Sequence, residues 1–173
     1  MSENDPGIQI RAASADDAVS IAGVLHAAFV EYEPQYTPAG FSATTLAAEG
    51  VLKRLSEGPI WVALQEGQVV GTVCAYLKAS TCYMRGMAIV PAARGQRIGE
   101  RLLEQVEQFA REQHAERLYL NTTPFLERAI RLYERYGFQR IEEGPLTLFG
   151  TPLFAMVKPL RARPQSAEDD DAL

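Results

Sequence analysis

The stretch Met87–Leu103, MAIVPAARGQRIGERLL, constrains the fold of this chain more than any other. Met87, Ala88, Ile89 and Val90 make an apolar run of strand length, Pro91 opens a turn, and Arg94 to Gly99 form a Gly- and Arg-rich loop. From Ile98 onward the apolar residues Leu102, Leu103, Val106, Phe109 and Ala110 recur at helical spacing. The expected unit is strand, anion-binding loop, helix. Gly95 and Gly99 allow close backbone approach to a ligand, and the first N–H groups of a helix lack intrahelical partners. Such a loop can present donors to phosphate oxygens, with Arg94 and Arg97 adding positive charge.

Composition narrows what that loop can hold. The 173 residues, 47% of them hydrophobic, suffice for one α/β domain with a substantial core. Formal charge is −5, but Glu168 and Asp169 to Asp171 cluster near the C-terminus, so the rest is close to neutral. Its arginines are interspersed with glutamates from Glu100 to Arg140, unlike the broad basic face of a duplex-binding protein. A small polyphosphate molecule is the better match. Cys74 and Cys82 fall in apolar strand-like runs and are expected as core residues. His26 and His114 have no carboxylate or thiol at ligand spacing, so no metal is expected. The first residues lack the pattern of a signal peptide and no apolar run has spanning length, which implies a cytoplasmic protein without a membrane partner.

In chain order, Ile8, Ile10 and Ala12 alternate as a first strand, and Ser14 with Asp17 has capping-box spacing before a helix through Ile21, Leu25 and Phe29. Residues 31 to 42, with two prolines and three aromatics, read as a loop whose large side chains are available to a pocket. Ser42 or Thr44 is placed to cap a second helix through Val51 and Leu55. Ile60–Leu64 and Val69–Leu77 flank Glu66-Gly67 as a hairpin, and Tyr83–Val90 follows as the next strand. The helix from Ile98 is expected to end near His114, with Glu107 and Arg111 paired on its wet side. Leu118 to Leu120 form a fifth strand. Thr123 and Pro124 begin a helix bearing Ala129, Leu132, Tyr133 and Tyr136, which Gly137 stops. Phe138–Ile141 and Thr151–Val157 are closing strands with Gly144-Pro145 between them. The polar, acidic residues after Lys158 read as disordered.

This order, with Met87-Ala88-Ile89-Val90-Pro91, Arg94-Gly95-Gln96-Arg97-Ile98-Gly99 and Ala129-Ile130-Arg131-Leu132-Tyr133-Glu134-Arg135-Tyr136-Gly137-Phe138, resembles the GNAT superfamily of acetyl-CoA-dependent N-acetyltransferases over nearly all of residues 8 to 158. The resemblance implies a single α/β (α+β) domain over 8–158. Its mixed, mostly antiparallel sheet should have about six to seven strands, with about four helices and splayed central strands. Residues 1–7 would then be a flexible N-terminus and 159–173 a tail. The family's pyrophosphate loop runs Arg or Gln, two free positions, Gly, one free position, then Gly or Ala. Arg94 and Gly99 match its ends, whereas Arg97 occupies the first glycine's place, where a side chain is accommodated if only backbone N–H groups are used and φ is negative.

What the resemblance implies for function is transfer of an acetyl group from acetyl-CoA, as co-substrate, to a primary amine by direct attack in a ternary complex. Met87, Ala88, Ile89, Arg94, Gly95, Gln96, Arg97, Ile98 and Gly99 would bind the cofactor. Tyr133 would be the catalytic acid beside the departing thiolate. The family's pantetheine-contacting Asn is replaced here by Leu126, for which Asn121 is a candidate substitute, and Tyr83–Val90 carries no carboxylate to serve as base. The expected acceptor is a small-molecule or peptide amine met near Glu31 to Phe41, with no nucleic-acid partner and self-association as a homodimer left open. The alternatives are a non-catalytic acyl-CoA-binding or sensing module and a generic nucleotide-binding α/β protein; against the latter, neither a Walker loop nor GxGxxG is present.

Overall fold

The computed structural model describes residues 7–160. β1 (Ile8–Ala12) leads through a 3₁₀ turn at Ala15–Asp17 into α1 (Ala18–Phe29). The Asp17 carboxylate accepts the Ser14 backbone N–H at 2.8 Å, as the capping-box spacing requires. It also receives both ends of the Arg11 guanidinium, at 2.8 and 2.9 Å, which ties the start of α1 to the edge strand. A second 3₁₀ segment, Val30–Gln35, then precedes α2 (Pro38–Thr44) and α3 (Ala48–Glu57).

The region expected to be a loop is therefore largely helical. Thr37 caps α2 by accepting the Gly40 N–H at 3.0 Å, and Pro38 takes the first helical position, where its missing N–H costs nothing. α3 begins after Ala47, not at Ser42 or Thr44. There are thus five α-helices among the described residues, one more than expected.

β2 (Ile60–Gln65) and β3 (Gln68–Lys78) form the expected hairpin, with Glu66 and Gly67 both at positive φ, 52° and 78°. β4 (Thr81–Ile89), α4 (Ile98–Glu112), β5 (Arg117–Thr122) and α5 (Glu127–Arg135) follow. α5 starts after Leu126, because Thr123 and Pro124 are used in a turn closed by Leu126 N–H to Thr123 C=O at 3.2 Å. β6 (Gln139–Leu148) and β7 (Thr151–Pro159) turn at Phe149-Gly150, φ 48° and 90°, rather than at Gly144-Pro145. That pair lies inside β6, where the register is broken between Ile141 and Leu146, and an edge strand tolerates the proline.

The seven strands are ordered β1-β2-β3-β4-β5-β7-β6, and only β4 and β5 run parallel. α4 and α5 cover one face over Trp61, Met84, Leu118 and Met156, while α1 and α3 cover the other over Val62, Cys74 and Ala88. Cys74 and Cys82 are buried free thiols in these cores, as expected. The Glu107–Arg111 pair forms at 3.5 Å, but Glu107 also takes Lys158 of β7 at 2.5 Å and is mostly buried rather than wet. The body extends past the expected boundary at 158, since Leu160 is buried and its N–H donates to Glu116 C=O at 2.8 Å. Residues 1–6 and the acidic segment after 160 lie outside the described residues. No helix among the described residues is long and apolar enough to cross a membrane.

The hydrogen bonds from Arg11, with those from Ser14, lower the Asp17 pKa from 3.8 to about 2. A carboxylate whose folded pKa lies below its unfolded value stabilises the fold above the unfolded value, and that contribution is lost as pH falls. Urea unfolding followed against pH should show stability falling between pH 4 and 2. Asp17→Asn should flatten that segment and cost about 1–2 kcal/mol at pH 7, from one capping and two charge-assisted bonds.

Candidate active site

β4 and β5 pair only at Thr81–Arg117, Cys82–Leu118 and Tyr83–Tyr119, then part. Their separation coincides with a bulge: Thr72 faces Ala88 while Cys74 faces Arg85, so β4 carries one more residue than β3 across that span. Gly86 sits in the bulge at φ 65°, a conformation that favours glycine. Beyond it Val90 N–H donates to Val70 C=O at 2.9 Å, so strand alternation turns the polar groups of Ile89 and Met87 away from β3, toward the parted edge. The splay inferred from the family likeness is present.

A cavity of about 570 Å³ occupies this fork. Met87, Ala88 and Ile89 line it from β4, and Arg94, Gly95, Arg97, Ile98 and Gly99 line it from the loop. Tyr133 closes it from α5. Gln96 is the exception among the expected residues. Its side-chain carbonyl accepts the Gln65 amide N–H at 2.7 Å, which pins the loop to the end of β2 and leaves only its backbone for a ligand. Asn121 and Leu126 also line the cavity, so the proposed substitute and the residue replacing the family's Asn share it.

The loop leaves a run of backbone donors free at the start of α4. None of the N–H groups of residues 95–100 donates to a backbone carbonyl among the described residues, and α4 presents its positive end here. Gly95 lies at φ 83° and Arg97 at φ 59°. The condition of a negative φ at Arg97 is therefore not met. The turn into α4 needs a left-handed residue at this place, and arginine takes the conformation at a cost of about 1 kcal/mol. Its side chain is 87% exposed and meets no obstruction. Gly99 has a different necessity: a Cβ there would lie 2.6 Å from Leu132 Cδ2 and 3.3 Å from Ile89 Cδ1, so the residue lets α4 meet α5 and β4. Substituting it would disturb helix packing before it tested ligand approach.

Charge at this end of the cavity is mixed. Arg94 is spent on Glu31, Nη2 to Oε1 2.6 Å, so Glu31 tethers the segment after α1 to the loop. Glu100, the acid lining the cavity, lies 3.9 Å from Arg97 and 3.7 Å from Arg135. Arg128 and Arg135 of α5 line it as well, cations that sequence reasoning missed because they sit on a polar helix face with no local signature.

Tyr133 is buried, its ring 5.7 Å from that of Phe138. Burial, with Tyr36 nearby, pushes its pKa well above the ordinary phenol value, so it stays protonated across the neutral range. Tyr36 lies between the 3₁₀ segment and α2, is itself buried and lines the cavity, and its pKa is raised chiefly by burial. The expectation that this aromatic segment feeds a pocket is met by Tyr32 and Tyr36.

A model of the acetyltransferase (GNAT) family matches residues 23–138. The chain is 37% identical over 86 residues to the uncharacterised N-acetyltransferase YjgM of Escherichia coli, covering 47% of this chain and 52% of that one. To an IAA acetyltransferase of Azospirillum brasilense it is 37% identical over 103 residues, 57% of this chain and 66% of the relative. The matched region thus spans about half to two thirds of these two relatives. Among solved structures, a PaiA N-acetyltransferase from Thermoplasma acidophilum in complex with coenzyme A superposes with TM-score 0.76 at 17% identity, covering 88% of this chain and 98% of that one. The ribosomal-protein-S18-alanine N-acetyltransferase of Escherichia coli gives 0.72 at 16% identity, covering 92% and 97%. The forked sheet, the loop that opens α4 and the family match over most of the chain's length lead to one conclusion: this chain belongs to the GNAT acetyltransferase family.

Proposed function

We propose that the protein is an N-acetyltransferase that moves the acetyl group of acetyl-CoA to a primary amine by direct attack. The observation that carries this reading is the continuity of one cavity from the unpaired N–H groups of residues 95–100, along the parted edge of β4, to the buried hydroxyl-bearing Tyr133. The pyrophosphate would accept those N–H groups at the positive end of α4, and the pantetheine arm would pair with Met87 and Ile89 as an added strand. The amine nitrogen attacks the thioester carbonyl carbon, the C–S bond breaks, the thiolate takes a proton from Tyr133, and the surplus proton on the nitrogen restores the phenol. No carboxylate lies along β4, and Glu100 is at the loop end, so the proton lost by the ammonium leaves through water.

A phenol with a raised pKa is still a competent donor here. Burial alone pushes the Cys82 thiol up to about 11 in this protein, and a thiolate formed beside Tyr133 would be raised in the same way. The two groups' proton affinities therefore move together. Tyr133→Phe removes only the hydroxyl and should lower kcat by roughly 10² to 10⁴ with little change in acetyl-CoA affinity, measured by release of free thiol over an amine panel. Unchanged kcat would make Tyr133 a packing residue. Acetyl-CoA binding with no thiol release from any amine would favour the sensing module instead.

The loop yields a second prediction. If backbone groups hold the pyrophosphate, Arg97→Gly should keep KM for acetyl-CoA within about threefold and raise unfolding stability by about 1 kcal/mol, because the left-handed strain is removed. Arg97→Glu should raise that KM about tenfold or more, with the effect shrinking in salt, while Arg111→Glu on the far part of α4 should not. Equal effects of the two reversals would make the loop ordinary surface.

A further inference from the structure

The cavity has a second cationic end, which the cofactor reading does not use. Arg54 of α3 and Arg85 of β4 line it at the bulge, two residues past the last β4–β5 pair. Arg54 Nη1 and Arg85 Nε are both shut off from solvent without a hydrogen-bond partner. The Arg54 guanidinium rests on the backbone at Gly86, where an added Cβ would be 2.8 Å from Nη1, so Gly86 is what admits it. Arg85 stacks 4.6 Å over the Tyr76 ring and gives Nη2 to Glu57 Oε1 at 3.0 Å. Among the described residues Glu57 is the one acid paired with either side chain, and it is itself 43% exposed. Among the described residues only Arg85 of the two reaches a carboxylate, so the Arg54 guanidinium adds to the cavity wall a positive charge with no acidic partner. An incompletely solvated cation is unfavourable unless an anion approaches it.

We propose that this pair is an anion subsite for the acceptor, which is an amine carrying a carboxylate, of amino-acid type. The inference rests on the acetyltransferase reading. Ile89 and the loop lie further along β4, on the order of 10 Å from Arg85 at strand rise, so acetyl-CoA threaded along β4 would leave the arginines beyond its acyl end. An amino acid that places its carboxylate against Arg54 and Arg85 turns its amine toward the thioester beside Tyr133. The walls between, Phe29, Tyr36, Leu148 and Leu153, are apolar or aromatic and would face its side chain. A guanidinium forks onto a carboxylate with two donors, which an amide of the same shape cannot match.

The test compares α-amino acids with their carboxamides as acceptors. The wild-type protein should favour the acid by at least about tenfold in kcat/KM, and Arg54→Met, which keeps the apolar stem, should lower kcat/KM for the acid about tenfold or more. The carboxamide should lose less than about threefold, and Arg54→Lys should recover part of the preference. Arg85→Met serves as a second, independent variant, with thermal unfolding recorded for each. Carboxamides that serve as well as acids in the wild type, or equal losses for both acceptors in the variants, would overturn the proposal. Absence of thiol release from every amine would refute the acetyltransferase reading instead. The subsite is then read by calorimetry with N-acetylleucine and N-acetylleucinamide. Tighter binding of the acid, lost in Arg54→Met, supports it, and equal or absent heats for both overturn it.

Discussion

Everything in this molecule depends on two adjacent strands that start as neighbours and then fail to pair. β4 and β5 share three residue pairs and separate, leaving main-chain donors and acceptors along both edges in the middle of a sheet that is otherwise continuous. A buried backbone group without a partner costs about as much as a lost hydrogen bond, so the parted edges favour an occupant, solvent or ligand, that bonds to them. The bulge at Gly86 coincides with the departure, and the lack of a side chain at Gly99 lets α4, α5 and β4 meet at close range beside it. Gly99, at the end of the glycine-bearing loop, is thus a packing residue in its own right.

Electrostatics divides the cavity into ends with different chemistry. At the loop, unpaired N–H groups and the positive end of α4 suit a multiply charged phosphate, and the arginines there are partly neutralised by Glu31 and Glu100. The middle holds phenols buried enough to remain protonated. A thioester running between these regions would have its charged half among fixed donors and its reactive half in an apolar, water-poor setting, where hydrogen bonds to a developing charge are strongest.

Much of this was legible in the sequence where a local rule and the tertiary need agreed. Glu66-Gly67 announced its hairpin because it sits between two apolar runs and Gly67 freely supplies a positive φ that the turn needs. The strand, loop and helix from Met87 were likewise visible, since apolar period changes at the glycines. Legibility failed where local signals pointed elsewhere. Gly144-Pro145 advertises a turn, yet the chain turns at Phe149-Gly150, where phenylalanine takes a conformation it seldom adopts. Thr37-Pro38 is a sound helix start, but the surrounding prolines and aromatics masked it. Arg97 shows a third kind of failure: the backbone conformation a glycine would supply is kept although the glycine is not. Arg54 and Arg85 were invisible because nothing local distinguishes a solvated arginine from one that the fold lays against a bulge. The position of β7 between β5 and β6 has no local signature at all.

The most direct test of the central claim is to titrate coenzyme A into ¹⁵N-labelled protein and follow the backbone amides. If the fork and its loop are the cofactor site, the largest shifts will fall on Ile89 and residues 95–100, with gained protection from exchange, and the β2–β3 hairpin will be unmoved. Shifts concentrated away from the fork, or none at saturating coenzyme A with the fold intact, would contradict the account.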